Sequence, residues 1–166
     1  MRRLFQFHGG VLLREHKKDA TAQPVQPARL PKQLVLPLQQ HIGEPAEPIV
    51  QVGDKVLKGQ LIANPIGAIS APVHASSSGT VVAIAGHAVS HPSHLNAPCI
   101  IIDTDGEERW IADRHPVANY HELPPEEIRD RIRDAGIVGM GGAGFPAHVK
   151  LDPHQHAVDV LILNGA

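Results

Sequence analysis

The stretch Val52-Gly53-Asp54-Lys55-Val56-Leu57-Lys58-Gly59-Gln60 decides how this chain folds. Two glycine turns, Gly53-Asp54 and Lys58-Gly59, follow one another closely and separate short apolar runs. Turns of this kind connect the strands of β-hairpins, so the pattern predicts a compact β-meander. Its predicted strands are 49–52, 55–57 and 60–63.

Outward from this stretch, more short strands are expected. An apolar run before it ends in the loop 39–48, whose two prolines and Gly43 we expect to prevent regular pairing. A turn at Thr104-Asp105-Gly106 closes the last of the strands. Short strands at this spacing are typical of a small sandwich or barrel, which we place at residues 34–112. The further predicted strands are 34–38, 68–73, 79–84 and 99–103.

Two polar segments flank this β-domain. Residues 1–33 are interrupted by prolines and show neither helical nor alternating periodicity, which predicts an extended leader. Residues 113–123 are predicted to be a polar connector. A helix then begins at Pro124-Pro125, with acidic residues in its first turn and apolar residues at helical spacing. Gly136 is the expected stop of this helix.

After the helix come a glycine cluster, residues 139–146, and an apolar run, Val158–Leu163, which predicts a buried strand. A helix, a glycine loop and a buried strand begin an α/β unit, so residues 124–166 are expected to be the truncated start of a second domain. A central strand needs neighbours on both sides. We therefore expect the chain to be the N-terminal piece of a longer protein.

Composition excludes several classes of protein. With 15 Gly and 15 Pro among 166 residues, a helical bundle is disfavoured, and a net charge of -2 leaves no basic face for nucleic acid. The single cysteine, Cys99, excludes an internal disulfide framework and indicates a reducing compartment. No run approaches the roughly 18 apolar residues of a membrane span.

The glycine cluster is the first candidate site. Gly139, Gly141 and Gly144 fit G-x-G-x-x-G, in which backbone N–H groups can approach a phosphate or a flat ring. The ordinary dinucleotide interpretation fails because a helix, not a strand, precedes the motif. Two interpretations stay open: a ligand-binding loop or a tight connector. Lys150 could place an ammonium beside a bound anion, or could be a solvated surface lysine.

Histidine and cysteine chemistry is disfavoured. His87, His91 and His94 have helical ligand spacing, but Pro92 and other prolines oppose a helix, so we expect no metal site. Cys99 opens an apolar strand and is expected to be a small core residue and not a nucleophile.

The β-domain pattern resembles biotinyl and lipoyl carrier domains, which form a barrel-sandwich hybrid. Those carriers need an exposed lysine in the hairpin after the third strand, whereas residues 64–70 contain none. The resemblance therefore implies the fold without the modification.

The whole chain closely resembles the RnfC/RsxC family, whose members belong to the Rnf/Rsx electron-transport complex. Its glycine loop is also similar to the flavin loop of the NADH-binding subunit of respiratory complex I. The matching stretches are Phe7–Gly10, Leu36–Gly43, Pro45–Pro48, Ser70–Ser76 and Gly139–Pro146.

This resemblance implies a site where FMN lies against the glycine backbone and NADH stacks over it. Phe145 would then line the nicotinamide side, Lys150 would approach phosphate and Asn164 would bind the flavin. The loop residues implied to contact cofactor or nucleotide are Gly139, Gly141, Gly142, Ala143 and Gly144.

The resemblance further implies an NADH-oxidising subunit of an ion-translocating NADH:ferredoxin oxidoreductase. The subunit would be held on the cytoplasmic side of the inner membrane by its partner subunits, and electrons would pass to ferredoxin or an equivalent partner. Full-length members carry two 4Fe-4S clusters, whose ligands this chain lacks, so we expect the fragment alone to be inactive. The alternative is a non-catalytic β-module that docks other subunits, or an unmodified carrier-like domain.

Overall fold

The computed structural model describes residues 16–90, 95–114, 116–153, 158–160 and 162. Most of its regular structure is β. The strands are β1 Gln33–Pro37, β2 Glu47–Pro48, β3 Lys55–Val56, β4 Leu61–Asn64, β5 Val73–His74, β6 Gly79–Ala88 and β7 Asn96–Thr104. The helices are α1 Lys17–Ala20, α2 Pro125–Asp134 and α3 Ala147–Lys150, with a 3-10 turn at Tyr120–Glu122.

The strands form two antiparallel sheets around one core. The larger sheet has the order β1-β7-β6-β3, and the smaller has the order β2-β4-β5. Both sheets contribute fully buried side chains, Val81, Ile100 and Ile102 from the larger and Ile62 from the smaller. Burying each such side chain contributes about 1.5–3 kcal/mol. The predicted β-rich architecture is confirmed, and the strands expected near 34–38, 79–84 and 99–103 are present.

The predicted β-meander is wrong, because both glycine turns bond to distant segments. The Gly53 N–H donates to the Val81 carbonyl at 2.8 Å, and the Val81 N–H donates back to Asp54 at 2.9 Å. The second turn bonds in the same way: the Gly59 N–H donates to Ala75 at 2.7 Å. Each turn thus carries the chain from one sheet to the other. Residues 49–52 are consequently not a strand, and β3 pairs with β6.

Two further expectations need correction. The strand predicted at 68–73 is reduced to β5, since the buried Ser70 hydroxyl donates to the Glu44 carbonyl at 2.9 Å and the Ala71 N–H donates to His41 at 3.1 Å. This segment braces the loop after β1 in place of pairing as a strand. That loop does contain a short paired strand, β2, because its Pro48 lies on a sheet edge, where a missing N–H is tolerated.

The helix predicted to begin at Pro124-Pro125 is confirmed as α2. Pro125 occupies the first turn of α2, and Gly136 follows its end with a φ of +69°. The Arg129 guanidinium pairs with the Asp152 carboxylate at 2.6 Å and joins α2 to the residues after α3. The leader differs slightly from expectation, because α1 interrupts its mostly exposed and irregular described part and its last residue, Gln33, begins β1.

The strand predicted at Val158–Leu163 is not formed in its described residues. Positions 158–160 and 162 lie outside any helix or strand, and the Ile162 side chain is 86% exposed. Apolar residues of a parallel strand need neighbouring strands, and the described part of the chain pairs none with them.

Cys99 is a core residue, as predicted. It is fully buried in β7, and its thiol donates to the Ala97 carbonyl at 3.2 Å. Burial raises the pKa of this thiol, which keeps it in the unreactive protonated form.

Candidate functional site

The glycine loop is closed at its base by backbone hydrogen bonds. The Gly139 N–H donates to the Phe145 carbonyl at 2.8 Å, and the Ala147 N–H donates to Ile137 at 2.9 Å. Val138 and Pro146 form an antiparallel bridge between these two bonds, and Pro146 is fully buried. The two ends of the loop are therefore held together by these backbone contacts, and α3 begins directly after them.

Gly144 is a glycine because of the chain's own packing. Its φ is +55°, a left-handed conformation that L side chains rarely adopt. A Cβ atom at this position would also stand 2.8 Å from the backbone oxygen of Gln40. At Gly139 an added Cβ atom would stand 3.0 Å from the Lys150 ammonium, which is the movable end of an exposed side chain, so packing requires glycine less strictly there.

The tip of the loop shows the opposite behaviour. Gly141 and Gly142 are exposed, lie outside the left-handed φ region, and have no described atom within 4 Å of an added Cβ. Glycine costs backbone entropy wherever a side chain would be tolerated. Packing within the described residues thus gives no reason for these two glycines, whereas a flat or anionic ligand lying on the loop does.

A cleft of about 850 Å³ opens beside this loop. Residues 138–144 form one wall, and the opposite wall belongs to the β-domain, from the loop after β1 and the start of β7. The volume is within the range of small-molecule and cofactor sites. The β-domain and the glycine loop together form this cleft.

Lys150 and Phe145 lie next to the base of the loop. The Lys150 ammonium is 5.9 Å from the centre of the Phe145 ring and beside Gly139. Phe145 is half-buried, and Lys150 is exposed. The structure thus places the five loop residues between 139 and 144 on the cleft, and Lys150 and Phe145 at the base of the loop, outside the residues that line the cleft. Asn164 lies outside the described residues.

His41 and Gln40 are residues of this cleft that the sequence did not reveal. The buried His41 ring accepts a hydrogen bond at Nε2 from the Ala71 N–H, and its Nδ1 lies 3.0 Å from the Ile42 carbonyl. With Nε2 accepting, the proton of a neutral ring sits on Nδ1 and is donated to that carbonyl. His41 therefore locks the shape of the loop that Gln40 presents. No local sequence signal could have paired this loop with residues 138–144.

Two histidines, His74 in β5 and His148 in α3, lie close to α2. Burial lowers the pKa of His74 in β5, and the backbone carbonyl of Asp134 opposes that shift. Burial also lowers the pKa of His148 in α3, with the Arg133 guanidinium adding to the effect. Both shifts favour neutral imidazoles where α2 and α3 are packed.

Within the described ranges, no three His, Cys, Asp or Glu side chains lie close enough to hold a metal ion. His87 lies in β6, whereas His91 and His94 are outside the described residues. None of the described helices has the length and apolar character needed to span a membrane.

Comparison with known proteins agrees with both halves of this architecture. Residues 5–107 match the family described as the RnfC barrel sandwich hybrid domain, and residues 132–166 match the Nuo51 FMN-binding domain. The fold is therefore a barrel-sandwich hybrid followed by the beginning of an FMN-binding domain. Since the first match covers more than half of the chain, the protein belongs to the RnfC family.

Individual relatives support this assignment. Over 100% of its length the chain is 48% identical to the RnfC-type component of the ion-translocating oxidoreductase complex of Pseudomonas aeruginosa, and over 99% it is 46% identical to that of Serratia proteamaculans. It is 45% identical over 98% of its length to the corresponding component of the proton-translocating ferredoxin:NAD(+) oxidoreductase complex of Clostridium ljungdahlii. The chain spans 21%, 23% and 35% of these relatives respectively.

Proposed function

We propose that this chain supplies the FMN-binding loop of an NADH-oxidising subunit in an ion-translocating NADH:ferredoxin oxidoreductase complex. One observation carries the proposal: Gly141 and Gly142 lack a side chain although an added Cβ atom would meet none of the described residues within 4 Å. Because these residues have no Cβ atoms, a flat ring in the cleft can lie directly against the backbone of the loop. The match of residues 132–166 to an FMN-binding domain supports the same ligand.

Each predicted site residue has a role in this proposal. The backbone of Gly139 to Gly144 lines the flavin, and the N–H groups of Gly139 and Gly144 close the loop by bonding to the Phe145 and Gly141 carbonyls. The Lys150 ammonium attracts the phosphate of the flavin. Phe145 lies at the base of the loop, on the nicotinamide side of the flavin. Asn164 remains a prediction from the family resemblance. When bound, FMN supplies the chemistry of accepting hydride and releasing single electrons.

The wider setting is also part of the proposal. Partner subunits hold the protein on the cytoplasmic side of the inner membrane, and electrons pass through 4Fe-4S clusters to ferredoxin or an equivalent carrier. This chain's single cysteine cannot ligate a cluster, so residues 1–166 alone are expected to be inactive. We propose the division into leader 1–33, β-domain 34–112, connector 113–123 and flavin segment 124–166.

The test is an anaerobic titration of the full-length natural protein and of residues 1–166 with FMN, followed by flavin fluorescence. Saturable quenching by the full-length protein and bleaching of the bound flavin by NADH are expected. Absence of FMN binding by the full-length protein would refute the proposal.

A second candidate is a docking module, in which the β-domain binds other subunits without a redox role. It is favoured by exposed apolar side chains of the β-domain, including Val52, which is 61% exposed, and Ile49, which is 49% exposed. Such side chains are common at protein interfaces. The test is a Val52→Asp, Ile49→Asp double variant. If it no longer assembles into the complex but keeps its FMN, these two side chains contribute to docking and not to flavin binding.

A further inference from the structure

The wall of the cleft that faces the glycine loop has a chemistry of its own. Its lining residues include Gln39 and Gln40 from the loop after β1 and Asn96 at the first position of β7, beside apolar residues such as Leu95 and Ala97. Among the described residues that line the cleft, none is Asp, Glu, Lys or Arg. A wall of neutral amides and apolar residues is poorly suited to a phosphate, but it suits an uncharged ring that has both donors and acceptors on its edge.

Gln40 is the best-placed amide on this wall. Its backbone oxygen lies against Gly144, so the residue is fixed relative to the glycine loop. Its Nε2 donates one hydrogen bond to the Pro37 carbonyl at 3.1 Å, which restrains the side chain. A glutamine amide has two N–H donors and an oxygen acceptor. One N–H and Oε1 of Gln40 therefore have no partner among the described residues.

We infer that Gln40, assisted by Asn96 on the same wall, recognises the pyrimidine edge of the isoalloxazine ring. That edge presents an N3–H donor between two carbonyl acceptors, and a primary amide can pair with a donor and an adjacent acceptor at once. This inference rests on the proposed function and deepens it. The β-domain then determines which ring the glycine loop accepts, in addition to any docking role.

The test compares FMN with N3-methyl-FMN, in which the ring donor is blocked, on the full-length natural protein. The wild type should bind FMN about three- to tenfold more tightly than the methylated analogue, the effect of one hydrogen bond. Gln40→Ala should weaken FMN binding by a similar factor and abolish the preference. Asn96→Ala should act in the same direction.

Gln33→Ala is the matched control. Gln33 is an exposed glutamine at the first position of β1, and its amide donates to the Asp103 carboxylate at 2.9 Å, away from the cleft. This variant should keep both the FMN affinity and the preference. If Gln40→Ala fails to fold, Asn96→Ala takes its place with the same two probes.

The inference and the proposed function fail in different ways. If the wild type binds FMN but Gln40→Ala and Asn96→Ala retain its affinity and its preference, the ring-edge role is wrong and the FMN site stands. If the wild type binds both probes equally, the ring-edge role is also wrong. If the wild type binds neither, the proposed function is overturned together with the inference.

Discussion

The backbone oxygen of Gln40 lies so close to Gly144 that an added Cβ atom would stand 2.8 Å from it. This contact joins the β-domain to the glycine loop, two parts of the chain that are far apart in sequence. It distinguishes Gly144, which packing requires, from Gly141 and Gly142 at the tip, for which packing of the described residues gives no reason. The two kinds of glycine should therefore respond differently to substitution.

Gly144→Ala should destabilise the fold around the loop. The left-handed backbone and the Gln40 carbonyl both oppose a methyl group, and a cost of about 2 kcal/mol in the free energy of unfolding is expected. Urea denaturation measures it. The matched control is Gly141→Ala, whose added Cβ atom would meet none of the described residues within 4 Å. This variant should change stability by less than about 0.5 kcal/mol. Equal stability of the two variants would disprove the assigned contact.

Lys150→Ala should weaken FMN binding about tenfold, the effect of one charge-assisted contact to phosphate. Riboflavin, which has no phosphate, is the internal control, and its affinity should not change. Titration of both ligands by fluorescence quenching provides the measurement. A parallel loss of affinity for both ligands would place Lys150 at the ring or in the fold, and not at the phosphate.

Acid stability should depend on Asp105. The Glu107 backbone N–H, the Ser78 hydroxyl and the Arg109 guanidinium lower the pKa of this carboxyl from 3.8 to about 2. Between these two pKa values the folded form therefore binds fewer protons than the unfolded form. The contribution of Asp105 to the stability of the fold is present above about pH 4 and is lost as the pH falls through 2.

Asp105→Asn removes this titration. Urea midpoints measured from pH 5 to pH 2 should fall less steeply for the variant than for the wild type. Glu126→Gln, in the first turn of α2 and away from this turn, is the control and should follow the wild type. Curves of the same steepness for Asp105→Asn and the wild type would count against the linkage.

Local pattern was sufficient for much of the fold. The runs that became β1, β6 and β7 alternate or are continuously apolar, and the Pro-Pro-Glu-Glu start with Gly136 as its stop defines α2. The meander failed because a glycine turn has the same local chemistry whether it closes a hairpin or crosses between sheets. The two cases differ only in the hydrogen-bond partners: Gly53 bonds to Val81, and Gly59 bonds to Ala75. Such distant contacts cannot be recognised from the local sequence.

The site was predictable on one wall only. Its glycines are visible as a cluster, and Lys150 is near enough in sequence to be associated with them. Gln40 and His41 belong to a stretch, Leu36–Gly43, that matches the family, but nothing in it assigns them to the cleft. Their place in the cleft depends on how the β-domain packs against residues 136–144, which no periodicity encodes.

The most direct test of the FMN loop is the dissociation constant of FMN from full-length Gly142→Val, measured beside its unfolding free energy. A Cβ atom at Gly142 would meet no described atom within 4 Å and the position is exposed, so stability should remain within about 0.5 kcal/mol of the wild type. FMN binding should be lost, because the side chain occupies the space of the ring. A folded variant that retains FMN with unchanged affinity would contradict the assignment of this loop to the flavin.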